Sequence, residues 1–428
     1  MRGSLVQHIK RFSGFALMPA LSMLASIALL PLIAAKFGAQ SWVALGLGQS
    51  LGAIVGVLVA LAWPIIGGHE IASTSDSSER QRIFRRSVYS RGIVLAVLVP
   101  LAACGMLFLP NHMSVEATLF MAGNAFNGMT ASWYFAGTGQ PRYLVRNEGL
   151  VRLASYAVTL VGIGACGLGL WWYGFITVLA GISMALLNWT TIVGIRFVWS
   201  LAEFRESAKL IPAQLNGTLS RILQSLFYYG ANSVYTIWAP GSLAVFAAAD
   251  QIKRITANAL GMIPTTFVSW VGAASGVERV RRQRLSIGSV TIISVLTIVG
   301  WILFGNTIVG YLFAGNVELK RYENVLLICG VVANLLTYSV ELLVMVPKQL
   351  QTFVYNSNSF ASIVGLIGLA IAASQFGVGG GLAVLLLIKV ALLIVYGSRL
   401  LWRGKYGVAG GTAVTIGNDG TDVHTHAG

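Results

Sequence analysis

The sequence predicts an all-α polytopic membrane protein with about twelve transmembrane helices in two six-helix lobes related by a parallel repeat. Three observations carry that expectation. Of the 428 residues, 56% are hydrophobic and only 10% charged, and the mean hydropathy is +0.75. A soluble domain carries about a quarter charged residues, because its surface faces water. Apolar runs recur along the whole chain, many near the roughly 20 residues a membrane helix needs. The pattern E-R-x-R-x-x-R-x-S also occurs twice, as ERQRIFRRS at 79–87 and ERVRRQRLS at 278–286, 199 residues apart.

Apolar runs between charged or turn-rich breaks place the first six spans at 12–36, 41–66, 92–110, 115–138, 150–168 and 171–195. The second six fall at 213–238, 242–272, 287–307, 323–346, 358–376 and 379–399. The run after Arg2, Lys10 and Arg11 outlasts a signal-peptide core, so it reads as an uncleaved first span. The 242–272 run exceeds one crossing, and its part after Pro264 is expected to bend or leave the bilayer. These spans define an N-terminal lobe at 1–200 and a C-terminal lobe at 201–403. The segment 404–428 is rich in Gly and Thr without an apolar period, and reads as a disordered cytoplasmic tail in which His424 and His426 are solvated.

Orientation follows the Lys/Arg bias. One side collects Arg80, Arg82, Arg85, Arg86, Arg91, Arg142, Arg146, Arg196, Arg205, Lys209, Arg279, Arg281, Arg282, Arg284, Lys348, Arg399, Arg403 and Lys405, together with the N-terminal basic residues. The other side offers Lys36, Lys320 and Arg321. Both termini are therefore expected in the cytoplasm, consistent with an even number of crossings. Each arginine patch follows the second span of its half. Pro64 and Pro264 are 200 residues apart and Ser41 and Ser242 are 201 apart, so further landmarks keep the register. An even number of spans per half makes the repeat parallel.

Several function classes are excluded. The net charge of +15 suggests nucleic acid, but the arginines sit in short connectors, where they orient the protein and meet anionic headgroups. Cys104, Cys166 and Cys329 lie inside apolar runs and read as small hydrophobes, neither a disulfide framework nor a metal site. The sequence has no P-loop, metal-ligand cluster or nucleophile triad, and the longest external connector, about 308–322, carries a single acidic residue, Glu318. An enzyme and a cofactor are therefore not expected.

The end of the fourth span reads ASWYFAGTGQPRYLVRNEGLVRL. Trp133, Tyr134, Phe135, Gly137, Arg142 and Arg146 resemble the motif of the polysaccharide flippase family (O-antigen-type lipid-linked oligosaccharide flippases) in the multidrug/oligosaccharidyl-lipid/polysaccharide exporter superfamily. The first loop, AAKFGAQSWVALGLGQSLG, is similar to that family's Gly-then-aromatic turn, and the resemblance covers about residues 5–400. Ala136 and Gly139 stand where members often carry Gln and an acidic residue, so the motif supports the superfamily better than a substrate. The resemblance implies two lobes in a V around a central hydrated cavity, moving by alternating access. It further implies a bacterial inner-membrane flippase that carries undecaprenyl-diphosphate-linked sugar or oligosaccharide outward for surface polysaccharide assembly. Glycosyltransferases and a chain polymerase would then be its partners. A drug/cation antiporter of the same superfamily, or a peptidoglycan-precursor flippase, is the alternative.

Moving a diphosphate through hydrocarbon requires a wet, cationic path, so ionisable groups within the spans are the candidates. The eighth span, AAADQIKRITANA, holds Asp250, Lys253 and Arg254. Counted from about Ser242, Arg254 lies roughly 18 Å into a layer about 30 Å thick. Lys253 and Arg254 are expected to attract the diphosphate; the other reading is that Asp250 and Arg254 neutralise each other and pin two helices. Arg221, Gln224, Tyr228 and Asn232 share one helical face, suited to a cavity wall, with Arg221 also placed to snorkel to the interface. Asn124 and Asn127 could bond sugar hydroxyls or glue helices. Glu341 and Asp250 are the candidates for coupling to an ion, a proton or sodium. Arg152 is expected to snorkel, and Lys389 has no assigned role.

Overall fold

The computed structural model describes residues 25–107, 114–195, 200–272 and 274–406. Among them no strand occurs, and helices satisfy their backbone groups internally, one of the two solutions that lipid permits. In chain order the first-half helices are α1 (Ala25–Phe37), α2 (Gln40–Ala60), α3 (Trp63–Ser73) and α4 (Ser77–Leu107). Then come α5 (Ser114–Ala125), α6 (Ser132–Thr138), α7 (Pro141–Leu144), α8 (Leu150–Gly164) and α9 (Leu170–Ile192). The second half holds α10 (Leu201–Tyr229), α11 (Ala231–Trp238), α12 (Leu243–Gly272), α13 (Gly276–Leu312), α14 (Arg321–Val340) and α15 (Gln351–Tyr406).

Among the described residues, six helices are long and apolar enough to cross a membrane by length and composition alone. The other spans miss that measure for physical reasons. The 51-residue run Gln351–Leu401 is two crossings joined at Gly377, whose φ of +58° suits a residue without Cβ. The Tyr235 hydroxyl donates to the Gly377 carbonyl at 2.7 Å and holds that bend. The α12 run carries Asp250, Lys253 and Arg254, α8 has only 15 residues, and the α5–α6 and α10–α11 spans are interrupted. The first span is described only from residue 25.

The sequence boundaries need correction in several places. The 41–66 run is not one helix: it breaks at Leu61 (φ +51°), and Pro64 opens α3. The 115–138 run breaks at 126–131, where a short 3-10 turn separates α5 from α6. The helix that carries the 213–238 span starts earlier, outside the span, at Leu201, where Ser200 caps it by accepting the Glu203 amide, and it is interrupted at Gly230. The α12 helix runs unbroken past Pro264 to Gly272. Residues 404–406 belong to α15, not to the tail; the rest of the tail, with His424 and His426, lies outside the described residues.

The duplicated patch has a duplicated fold. Each copy opens a long helix, α4 or α13, with an acidic residue (Glu79 or Glu278) in the first turn, where the helix dipole favours it. Arg80 Nε donates to the Thr74 carbonyl and Arg279 Nε to the Ala274 carbonyl, both at 2.6 Å. Arg91 departs from expectation: it is fully buried, not a headgroup arginine. It donates to the carbonyls of Gly128 (3.1 Å) and Thr130 (2.8 Å), while Glu148 accepts the Ala131 amide at 2.8 Å. Opposite charges thus satisfy both sides of the α5–α6 break.

The halves meet through α2, which packs on α10, α11 and α12, and through α10 against α4. On the arginine-rich face, Arg85 forms a bidentate pair with Glu203 (2.8 and 2.9 Å) and Arg86 reaches Glu206 at 2.6 Å. On the far face, Asn316 donates to the Ala34 carbonyl at 2.8 Å and Trp42 meets Phe313 edge-on at 4.8 Å. One apolar core joins residues of both halves, including Trp42, Leu45, Phe120, Tyr235, Phe246 and Phe313.

Candidate functional site

Asp250 and Ser50 organise the junction between α2 and α12. Asp250 is 2% exposed, the eighth residue of the 30-residue helix α12, so its charge must be met within the protein. Lys253 Nζ lies 2.5 Å from Oδ1, and Arg254 approaches Oδ2 with Nη2 at 2.6 Å and Nε at 2.7 Å. Asn232 of α11 donates through Nδ2 to the same Oδ2 at 2.8 Å and to Ser50 Oγ at 2.8 Å. Arg254 Nη2 also donates to Ser50 Oγ at 2.5 Å. Tyr228 and Tyr229 of α10 offer ring faces to Lys253 (4.5 Å) and Arg254 (5.3 Å), which further offsets the buried charge. The network has one carboxylate and two cations, so it keeps a net positive charge.

Sequence spacing accounts for this cluster. Lys253 and Arg254 follow Asp250 by three and four residues, the intervals that share a helix face. Close approach of α2 needs a small residue: a Cβ on Gly46 would stand 2.8 Å from the Ala247 Cβ.

Beside the cluster, a polar cavity of about 280 Å³ opens between the first-half helices and α12. Its lining includes Gln49 of α2, Asn124 and Asn127 of the broken fourth span, Arg152 and Tyr156 of α8, and Gln251, Arg254 and Asn258 of α12. Phe120, Tyr173 and Met184 supply apolar wall. Two guanidinium groups line it, and among the described lining residues there is no carboxylate. Arg152 Nη2 donates to Asn127 Oδ1 at 2.7 Å, a neutral partner. Arg152, expected to snorkel, is therefore turned into the protein.

The remaining predicted residues are distributed differently. Lys253 faces away from the polar cavity, into a small crevice with Tyr228, Asn334 and Lys389. Arg221, Gln224 and Asn232 are not among the described residues that line the polar cavity. The break at Gly230 turns α11, and Asn232 is fully buried in the Asp250 cluster. Arg221 Nη1 donates to the Leu61 carbonyl at 3.2 Å, capping the end of α2, and Gln224 donates to Ser220 Oγ at 3.1 Å. Glu341 lies in the second half at the π-helical turn after α14, where it accepts Asn358 Nδ2 (2.9 Å) and the Tyr396 hydroxyl (2.8 Å). It is not part of the Asp250 cluster. No group of three potential metal ligands occurs among the described residues.

The sequence reading missed Ser50, Gln49, Gln251 and Asn258. Their available signal was the spacing of Gln251, Arg254 and Asn258 on α12, which places them on one helix face; the adjacent Gln49 and Ser50 on α2 gave none. Polar residues in membrane helices look alike until neighbouring helices are placed.

Neither a protein-family profile nor a curated protein sequence matches the chain. Solved structures do. An inward-facing multidrug resistance MATE family transporter of the MOP superfamily aligns with TM-score 0.57 at 15% identity, over 90% of this chain and 96% of that one. An outward-facing MATE transporter of the same superfamily gives 0.50 at 18% identity, over 93% and 96%. A mutant MATE transporter of Vibrio cholerae gives 0.50 at 13% identity, over 93% and 98%. The class is thus defined: this is a multi-pass membrane protein with the MATE-like transporter fold, twelve membrane helices in two lobes. The first two neighbours are transporters of the MOP superfamily, and the third is a MATE transporter.

Proposed function

We propose that the chain is an alternating-access transporter for an anionic lipid headgroup, an undecaprenyl-diphosphate-linked sugar or oligosaccharide. The observation that carries this reading is the cavity with Arg152 and Arg254 on its wall and no carboxylate among its described lining residues. Guanidinium groups suit a diphosphate, because they bind phosphate oxygens as planar forks. Asn124, Asn127, Gln49 and Gln251 offer amides to sugar hydroxyls, while the prenyl chain stays in lipid. In this reading residues 1–200 and 201–403 form the two lobes, the arginine-rich face and both termini are cytoplasmic in a bacterial inner membrane, and that face meets anionic lipids. Glycosyltransferases and a chain polymerase are the partners, and Glu341 is the group that exchanges the coupling ion.

Multidrug antiport is the second reading, favoured by the structural neighbours, which are multidrug resistance transporters. It requires a carboxylate for a cationic drug. Asp250 is already covered by two cations, and Glu341 is hydrogen-bonded within the second half.

The two readings separate in proteoliposomes of the purified full chain. Flipping of a fluorescent undecaprenyl-diphosphate sugar, lost in Arg152→Gln, supports the proposal. Proton- or sodium-driven uptake of a cationic dye, without movement of the lipid, supports antiport and overturns it.

A further inference from the structure

The surplus positive charge beside Asp250 has two places to go. Arg254 touches Ser50 across the junction of the halves and at the same time borders the polar cavity. Ser50 is fully buried on α2, and its hydroxyl accepts from both Arg254 and Asn232. We propose that Ser50 is a positioning residue that shares Arg254 between the α2–α12 contact and an anion in the cavity, so that diphosphate binding unlocks the two halves at this depth. The inference rests on the anionic reading above and adds the residue through which binding becomes movement.

The chemistry favours such an exchange. A phosphate oxygen brings the full counter-charge that a serine hydroxyl lacks, and a guanidinium can engage it through two parallel donors. Asp250 is not stranded when Arg254 turns away, because Lys253 stays at 2.5 Å and leaves a neutral pair. An unpaired buried carboxylate would forbid the motion; this one is covered twice. The contact also contains its own weak point. Asn232 Oδ1 is buried without a hydrogen-bond partner while Nδ2 serves Gly46 O, Ser50 Oγ and Asp250 Oδ2. A buried acceptor without a donor makes the closed contact less favourable than full pairing would.

The test uses the full chain in lipid nanodiscs with Cys104, Cys166 and Cys329 replaced by alanine. Spin labels at Gln40→Cys and Glu318→Cys, exposed positions in opposite halves, report the separation. The probes are undecaprenyl diphosphate in the disc and free inorganic diphosphate. Both are expected to lengthen the wild-type distance. Ser50→Ala is expected to show the longer distance without ligand and to bind diphosphate at least threefold more tightly, because the contact no longer competes. A defect that only damaged the fold would weaken binding instead. Equal or weaker binding by Ser50→Ala with an unchanged distance, while the wild type binds, overturns the inference alone. So does lengthening by the lipid with none from saturating free diphosphate. If the wild type binds neither probe, the anionic reading falls and the inference falls with it.

Discussion

Arg80 and Arg279 make the same contact 199 residues apart. Each sends Nε to a backbone carbonyl just before its own helix, at 2.6 Å, and each stands one residue after a first-turn glutamate. A basic connector alone does not produce this agreement, because snorkelling arginines need no common partner. Both arginines reach back over the turn that precedes their helix, six residues in one copy and five in the other, so the sequence repeat has a counterpart in the coordinates. Arg80→Ala and Arg279→Ala are therefore expected to destabilise the protein by similar amounts, about 1.5–3 kcal/mol for a lost charged hydrogen bond. Thermal melts in detergent check this; a large effect for one and none for the other breaks the equivalence.

Gly46 and Ala247 define how closely the halves pack. Gly46→Val is expected to lower stability by about 1–3 kcal/mol, since the added atoms must push against the Ala247 Cβ at 2.8 Å. Ala247→Gly in the same chain is expected to recover part of that loss, because the two positions touch. Additive losses in the double variant would show that the strain lies elsewhere.

These two cases show what the sequence could and could not reveal. Apolar runs and arginine patches are properties of single segments, so the spans, the repeat and the Asp250–Lys253–Arg254 cluster were legible. Helix breaks were less so: Leu61 has no turn signature, and its break shows only through Pro64 and the capping Arg221. Arg152 was misread because depth along one helix says nothing about which neighbour it faces. Arg91 was misread for the opposite reason, since a basic residue near a connector resembles a headgroup arginine until the broken carbonyls at 128 and 130 appear beside it. Both errors concern contacts between helices, where single-segment patterns are silent.

The Arg85–Glu203 pair sets a pH dependence. Hydrogen bonding by Arg85 holds the Glu203 carboxyl below the usual carboxylate range. The folded chain thus favours the ionised form more than the unfolded chain does, so the contribution is complete at neutral pH and is lost as pH falls through the carboxylate range. Glu203→Gln is expected to cost about 1 kcal/mol at pH 7, as partly exposed pairs do, and nothing at low pH. Melting curves of both proteins from pH 7 down to 3 should converge; parallel curves would remove the pair from the account.

Arg152 and Arg254 differ in what else they hold, so their variants should differ in kind. Arg152→Gln keeps a hydrogen-bonding group near Asn127 and leaves no buried carboxylate exposed. It is expected to weaken binding of the diphosphate lipid about 10- to 100-fold, the equivalent of one charged hydrogen bond, with an unchanged melting point. Asp250→Asn leaves Lys253 and Arg254 adjacent and uncompensated, and is expected to destabilise by about 3–5 kcal/mol. Equal melting points for Asp250→Asn and wild type would mean that water reaches the cluster.

Glu341 offers the clearest separation of coupling from folding. Its Oε1 accepts from Asn358 at 2.9 Å and from Tyr396 at 2.8 Å, so one oxygen links the turn after α14 to the two crossings of α15. Glutamine keeps an acceptor for both donors and preserves the size of the side chain, but it cannot exchange a proton. Glu341→Gln is therefore expected to melt within about 1 kcal/mol of wild type, the scale of one neutral hydrogen bond. In proteoliposomes with an imposed pH gradient it should still bind the lipid but move it at the rate seen without a gradient. Leucine at the same place removes the acceptor as well, orphaning Asn358 and Tyr396, and should lose both stability and transport. If Glu341→Gln responds to the gradient as wild type does, the carboxylate is a structural acceptor and the coupling ion is handled elsewhere.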